Sequence, residues 1–490
     1  MTAESLYTAA EMRAAEEAFE GETLELMERA GTATAEEILA RYPHARSIWI
    51  WCGTGSNGGD GFVVARKLQE AGRNVRVRLV GDESKVSGDA QENLRRARKT
   101  GVPVDDEPVE PDVVVDALFG TGFKGKPRQE AVEAIRYIND YERVVAVDVP
   151  SGVDASTGEV ASTAVRAAVT VTFHAPKVGV AVAPGRFHAG EIVVADIGLP
   201  RRDAGQARVT AGILERVPRR RQEDNKYTAG SVLVVGGSTG KTGAACLAAE
   251  ASLRAGAGIC TVCAPASLNF VFEQRLLEVM TKPCPDEQGV MTMDAADAIL
   301  EAAERAGAVA LGPGLGRTDG SRALVGYLLD RLEKPIVLDA DGLWSLVGHL
   351  DWVFKRDAPT VLTPHEGELG ALLGRKSDWV RARRLHAVQA GADDVGAVVL
   401  LKGADTLVAA PGRQVLVVDL GNPGLATAGA GDVLTGIVAA FLSKGMEARS
   451  AATAAAAAQG VAANVAAERH GYVGLLARDV VEALSPALSR

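Results

Sequence analysis

Near the end of the chain, after an extended stretch closing at Asp419, runs GNPGLATAGAGDVLTG, Gly421 to Gly436. The pattern is a glycine-rich turn feeding a helix that carries an acid at its mouth. Gly429 and Gly431 let the backbone approach an anion, and the first amides of a helix expected to begin near Ala430 point at that anion with the positive end of the helix dipole. Asp432 then stands beside a phosphate. A carboxylate there repels the anion unless a proton or metal intervenes. Its expected use is as a base for a substrate hydroxyl where a phosphoryl group is cradled. The plainer alternative is a helix entry with an N-terminal acid.

Two other loops imitate well-known motifs. GGSTGKTG ends like a P-loop, but the position five before Gly240 is Val235, and Gly236 is one place too close. Lys241 is therefore read as part of a glycine-rich strand-to-helix turn lining a pocket. CGTGSNGGDG, after the apolar run SIWIWC, satisfies GxGxxG through Gly53, Gly55 and Gly58, with Asp82 near the end of the next strand where a ribose-binding acid would sit. Asn57 and Asp60 argue against a plain dinucleotide turn, which mainly needs bare backbone. Asp116 opens DALFGTGFKGKPR, with Lys124, Lys126 and Arg128 available to a phosphate, and Asp148 precedes Pro150 and Ser151 in VDVPSGVD. Either acid alone would read as a turn cap. Recurring at strand ends, where ligands bind in an open α/β sheet, they read as functional. Together with Asn57 they offer hard oxygen donors that suit a simple cation better than zinc.

The elements that must hold these loops are short β-branched runs alternating with helical patterns, the sequence form of parallel α/β layers. Strands are expected near Ser47–Cys52, Val75–Val80, Val113–Asp116, Val144–Asp148, Val169–Phe173 and Ile192–Asp196. A second series follows near Ser231–Val235, Ile259–Val262, Ala308–Leu311, Pro335–Leu338, Thr360–Leu362, Ala397–Leu401 and Val415–Val418. The polar, basic tract Leu199 to Asp224 separates them, and a chain of 490 residues exceeds what one core usually supports. Two domains are expected, residues 1–210 and 222–490. A net charge of -10 disfavours nucleic acid or anionic membrane as general partners. The five cysteines are few and irregularly spaced, and the CxxC of Cys260 and Cys263 lies in an apolar run with no second pair, so buried strand residues and a reducing, cytoplasmic setting are expected. No signal peptide or membrane span is read, and the Ala-rich segment Ala451 to Ala467 reads as a tightly packed helix.

With these motifs in order, the chain resembles the bifunctional NAD(P)H-hydrate repair enzymes, an epimerase domain fused to an ADP-dependent dehydratase domain of ribokinase-like fold. The likeness rests on YTAAEMR, GSNGGDG, DALFGTGFKG and VDVPSGVD in the first half, and on VLVVGGS, LGPGLG, TPHEGEL, LKGADT and GNPGLATAGAGDVLTG in the second. For the first domain it implies a Rossmann-like three-layer α/β fold and interconversion of the two C6 epimers of hydrated NADH or NADPH. Substrate contacts carried over by motif are Ser56, Asn57, Gly58, Gly59 and Asp60, then Gly120, Thr121, Gly122, Phe123, Lys124, Gly125 and Lys126, with Asp148 as a contact and the acid/base. Asn57, Asp116 and Ser151 would hold potassium. For the second domain it implies dehydration of the S-epimer at the expense of ADP with Mg2+, and Asp432 as base. Ala244, Gly314, His365 and Asp432 would meet the hydrate, and Lys402, Gly403, Ala404, Asp405, Thr406 and Gly431 would meet ADP. Asn225, before Lys226, is a departure at a position where histidine is common. The alternative is a small-molecule kinase of the ribokinase superfamily with an appended dinucleotide-binding domain, although such a kinase has no need of GSNGGDG or DALFGTG. A homo-oligomer is expected from the Ala-rich helices.

Overall fold

The computed structural model describes residues 2–104, 110–202 and 204–489; Asp203, inside the expected boundary tract, lies outside the described residues. The chain divides into two compact units, Ser5–Gln206 and Ala207–Arg490, the latter including the first four residues. Residues 207–210, read from sequence with the first domain, thus lie in the second unit.

The first unit is built on six parallel strands in the spatial order Asn74–Leu79, Ser47–Cys52, Val113–Ala117, Val144–Val147, Val169–Phe173, Glu191–Ala195. Alternation sorts its side chains. Ile48, Ile50 and Cys52 join one core layer with the helices Thr23–Arg41 and Ser56–Glu70, while Trp49 and Trp51 pack on the other face against Ile135 and Tyr137 of the helix Gln129–Ile138. Both faces are covered, which is why SIWIWC reads as an unbroken apolar run. Chain order reverses between Ser47–Cys52 and Val113–Ala117, and that switch point opens a crevice at the carboxyl ends of the strands.

The second unit's sheet runs Met280–Cys284, Ile259–Pro265, Ser231–Val235, Ala308–Leu311, Ile336–Leu338, Thr360–Leu362 and Val398–Leu401, all parallel, then turns antiparallel at Thr406–Ala409 and Val415–Val418. Residues 207–209 and 3–4 continue that edge. One face is covered by the helices Thr242–Arg254, Ala430–Ser443, Ala448–His470 and Ala477–Ser489, whose alanines permit close packing on the sheet. All five cysteines are buried, with Cys260 and Cys263 in a strand. Among the described residues no helix is long and apolar enough to cross a membrane.

Candidate active sites

In the first unit a cavity of about 1160 Å³ opens at the switch point, and Ser56, Asn57, Asp60, Gly120, Thr121, Gly122, Phe123, Lys124, Lys126 and Asp148 all line it. The loop after Ser47–Cys52 enters the helix Ser56–Glu70 through Gly55, whose cap position has no side-chain acceptor, so its first amides stay open to a ligand. Gly58 has to be glycine: a Cβ there would lie 1.9 Å from the carbonyl oxygen of Gly53. Gly120 marks the closest convergence, since a Cβ would sit 2.9 Å from Asn57 Oδ1 and 3.2 Å from Asp148 Oδ2. The rings of Phe119 and Phe123 stack at 4.9 Å on the cavity wall. Gly58, Gly59 and Gly125 are not among the lining residues.

Asp148 follows the strand Val144–Val147 with φ of 68°, a left-handed conformation that costs a non-glycine residue energy and that clusters at functional sites. Its Oδ2 accepts the Thr121 amide at 3.2 Å; its Oδ1 pairs with Lys177 Nζ at 2.7 Å and accepts the Thr172 hydroxyl at 3.3 Å. Burial pushes the Asp60 carboxyl well above the usual carboxylate range, and the negative charges of Asp148 and Glu16 add to it. Glu16 is raised for the same reasons, burial first and then Asp148. Glu16 and Lys177 were not recognised in the sequence. YTAAEMR resolves into a capping box in which Thr8 and Glu11 start the helix Ala9–Glu17, and that helix delivers Glu16 to the cavity. Asp82, the candidate ribose acid, turns back to accept from the Ser84 amide and hydroxyl at 3.0 and 2.7 Å.

Asp116 and Ser151 lie beneath this cavity rather than on its wall. The Asp116 carboxylate is fully buried and accepts from Ser151 Oγ at 2.6 Å, Ser151 N at 2.8 Å and Leu118 N at 3.3 Å. Burial pushes its pKa up to about 6 against these neutral donors. The Asn57 side-chain nitrogen is buried and unpaired. Asp116 and Ser151 thus meet as a buried carboxylate and a hydroxyl, oxygen ligands of the kind that suit a monovalent cation such as potassium.

In the second unit the helix Ala430–Ser443 begins from Gly429, at φ 89°, again without a side-chain cap. Asp432 occupies its first turn. Burial pushes its carboxyl up to about 7, with Asp339 the largest like-charge contributor and Lys402 opposing. Lys402 reaches the same mouth: its Nζ lies 2.8 Å from Asp339 Oδ1 and 3.7 Å from Glu368 Oε2, and 3.4 Å from where a Cβ on Gly431 would stand. Burial alone would lower the Lys402 pKa, but Asp339 and Glu368 carry it above the ordinary value. Thr435 Oγ donates to the other oxygen of Asp339 at 2.8 Å.

Asp339 and Asp341 follow the strand Ile336–Leu338 and were passed over in the sequence, although they repeat the strand-end acids seen at Asp116 and Asp148. Ala340 between them sits at φ 49°, ψ -115°, a strained backbone that turns the two acids toward different partners. Asp341 receives Lys241 Nζ at 2.8 Å, Arg317 Nε at 2.7 Å and the Gly316 amide at 2.9 Å. Burial works against its charge, yet these donors hold its carboxyl below the usual range. Lys241 is thus committed to a carboxylate, in keeping with its failed P-loop spacing. Ala244 and Gly314 come together, a Cβ on Gly314 falling 3.2 Å from that of Ala244.

His365 caps the helix Glu366–Leu372, its Nδ1 accepting the amides of Gly367 and Glu368 at 3.0 and 3.3 Å. That leaves Nε2 to carry the proton of the neutral ring, on a side chain that is 60% exposed. Gly403 and Ala404 are exposed and Thr406 is partly so, but Asp405 is 1% exposed and its carboxylate pairs inward with Arg384 Nε at 3.1 Å. The Asp405 carboxylate therefore anchors the loop from within. Arg384, also buried, donates to the carbonyls of Lys402 and Asp405 and to Glu366.

Residues 23–179 match the family model described as YjeF-related protein N-terminus, and residues 232–486 match that of NAD(P)H-hydrate dehydratase. The chain is 39% identical, over 98% of its length and 96% of the relative's, to the bifunctional NAD(P)H-hydrate repair enzyme Nnr of Moorella thermoacetica. To the protein of the same name from Escherichia coli it is 35% identical, covering 94% of this chain and 88% of that one. A ribokinase-like superfamily protein from Enterococcus faecalis superposes with a TM-score of 0.51 at 22% identity, covering 59% of this chain and 98% of that one, a likeness of fold alone. Both domain models in one chain, and relatives well above 30% identity along nearly its full length, show that the chain belongs to the family of bifunctional NAD(P)H-hydrate repair enzymes.

Proposed function

We propose that this chain repairs hydrated NADH and NADPH, the first unit interconverting the R- and S-forms and the second dehydrating the S-form with ADP to give NAD(P)H, AMP and phosphate. The observation that carries the reading is Asp432, a carboxyl tuned to about 7 at the open mouth of a helix beside Lys402. Such a base takes the proton of the C6 hydroxyl as its oxygen attacks the terminal phosphorus of ADP, and AMP leaves. The helix amides near Ala430 and Gly431 and the Lys402 ammonium hold the charge that develops on the transferred group. The C6–O bond then breaks with phosphate as leaving group, a proton leaves C5, and the ring double bond returns. His365, Ala244 and Gly314 are assigned to the hydrate. Lys402, Gly403, Ala404, Thr406 and Gly431 are assigned to ADP, with Asp405 acting through Arg384 on the shape of the loop. Among the described residues no three His, Cys, Asp or Glu side chains group to hold a metal, so Mg2+ would arrive on the nucleotide phosphates.

In the first unit, C6 of the hydrate carries both a hydroxyl and the ring nitrogen. Inverting it requires one of those bonds to open and re-form from the opposite face, and either route moves a proton off and back onto a C6 substituent. Asp148 is assigned that transfer, the loop Gly120–Lys126 and residues 56–60 surround the substrate, and Asn57, Asp116 and Ser151 would hold potassium, which supplies a fixed positive charge under the loop. The kinase alternative is not favoured, because it leaves the first cavity and its carboxylates without work. The test is recovery of NADPH absorbance from a mixture of R- and S-hydrates with Mg2+ and ADP, ATP or no nucleotide. Complete recovery with ADP, faster than spontaneous epimerisation, is expected; no recovery with either nucleotide would reject the reading.

A further inference from the structure

Lys177 lies outside every motif by which the first site was identified, four residues past the end of the strand Val169–Phe173. Its side chain is 0% exposed, and lysine is almost never fully buried unless paired. The Nζ donates to the Phe173 carbonyl at 2.7 Å and meets Asp148 Oδ1 at 2.7 Å, and it lies 5.9 Å from the centroid of the Phe173 ring. Breaking a buried pair strands a charge, so the lysine is a rigid clamp on whatever it grips. Here it grips the acid assigned to epimerisation.

We propose that Lys177 is a positioning residue for epimerisation: with Thr172 it occupies Oδ1 of Asp148, so that Oδ2, steadied by the Thr121 amide, is the oxygen presented to the bound hydrate. The inference rests on the epimerase reading above. Three features support it. Oδ2 lies beside Gly120, where the absence of a side chain leaves room next to the cavity, while every partner of Oδ1 is buried. The left-handed backbone of Asp148 is the strain that such a clamp would hold in place. Asp60 and Glu16, both pushed toward the protonated form by burial and by Asp148, are also opposed by the Lys177 charge; His174 is lowered by burial and then by the same charge.

The test uses the full-length protein and separated R- and S-hydrates. Lys177→Met keeps the length of the stem and removes the charge. It is expected to lower kcat for R-to-S conversion about a hundred-fold, the scale of a misplaced catalytic group, with KM changed less than about three-fold. Dehydration of pure S-hydrate by the same protein stays at the wild-type rate. The double variant D148N/K177M is expected to be no slower than D148N alone, because a residue acting only through Asp148 has nothing further to lose. Should K177M fail to fold, the double variant, which leaves no stranded charge, and Thr172→Val, expected to lower kcat a few-fold at unchanged KM, carry the test. Wild-type epimerisation by K177M, a double variant slower by the product of the two single effects, or a Thr172→Val effect confined to KM would overturn the proposal. A wild-type protein without epimerase activity would instead defeat the underlying functional reading.

Discussion

The two units place a lysine near their principal acid in opposite ways. In the first, Lys177 is wholly buried and bonds to Asp148 itself, fixing one carboxylate oxygen. In the second, Lys402 bonds to Asp339, the neighbour of Asp432, and remains partly exposed at the helix mouth. The difference follows from what each site is proposed to handle. A site that moves a proton off and back onto a substituent of a neutral carbon centre needs an oriented oxygen. A site that transfers a phosphoryl group needs a positive charge left facing the anion and a base whose own proton is lost near neutrality. Both units begin their key helix from an uncapped glycine, Gly55 and Gly429. The helix mouth is therefore shared, and the wiring of the lysine separates them.

The largest effect is expected from Asp432→Asn. Loss of a general base is expected to lower dehydration by about 10³-fold, with nucleotide binding and R-to-S conversion retained; single-turnover kinetics and calorimetric titration with ADP check both halves. Next is Arg384→Leu, which removes the buried guanidinium that pairs with Asp405 and Glu366 and donates to the carbonyls of Lys402 and Asp405. It should destabilise the second unit by about 3–5 kcal/mol, visible in denaturant unfolding, and disorder the loop that carries Lys402. Asp148→Asn should lower use of the R-hydrate by about 10²-fold and leave dehydration of the S-hydrate untouched. The smallest effect is on pH. Because the Asp432 carboxyl is raised to about 7, its charged form is lost as pH falls, so kcat/KM for dehydration should drop below that value, approaching ten-fold per pH unit, and level off above it. A profile flat from pH 5 to 8 would remove Asp432 from the role of base.

The strands at Ser231–Val235, Ala308–Leu311, Thr360–Leu362 and Val415–Val418 were legible from their apolar, β-branched runs between turn signals. Met280–Cys284 and Thr406–Ala409 were not. Met280–Cys284 carries Lys282 and Pro283 on a sheet edge, and Thr406–Ala409 is a four-residue run whose direction is set only by its antiparallel neighbours. Candidate residues within glycine-rich loops, several of which line the first cavity, could be picked out because glycine, acid and lysine spacing is local. Lys177, Glu16, Asp339 and Asp341 escaped because their meaning depends on partners far along the chain: Lys177 lies 29 residues from Asp148, and Lys402 donates to Asp339 across 63 residues. The inward turn of Asp405 was equally hidden, since nothing beside it in sequence announces Arg384.

The most direct test of two distinct sites is complementation between damaged chains. Asp148→Asn and Asp432→Asn proteins are each given a mixture of R- and S-hydrates with ADP and Mg2+, separately and then together, and NADPH absorbance is followed. The first variant is expected to stall once the S-form is consumed, the second to restore nothing, and the two together to recover the whole mixture. If the mixed proteins recover no more than Asp148→Asn alone, or if Asp432→Asn has also lost R-to-S conversion, the assignment of one acid to each activity is wrong.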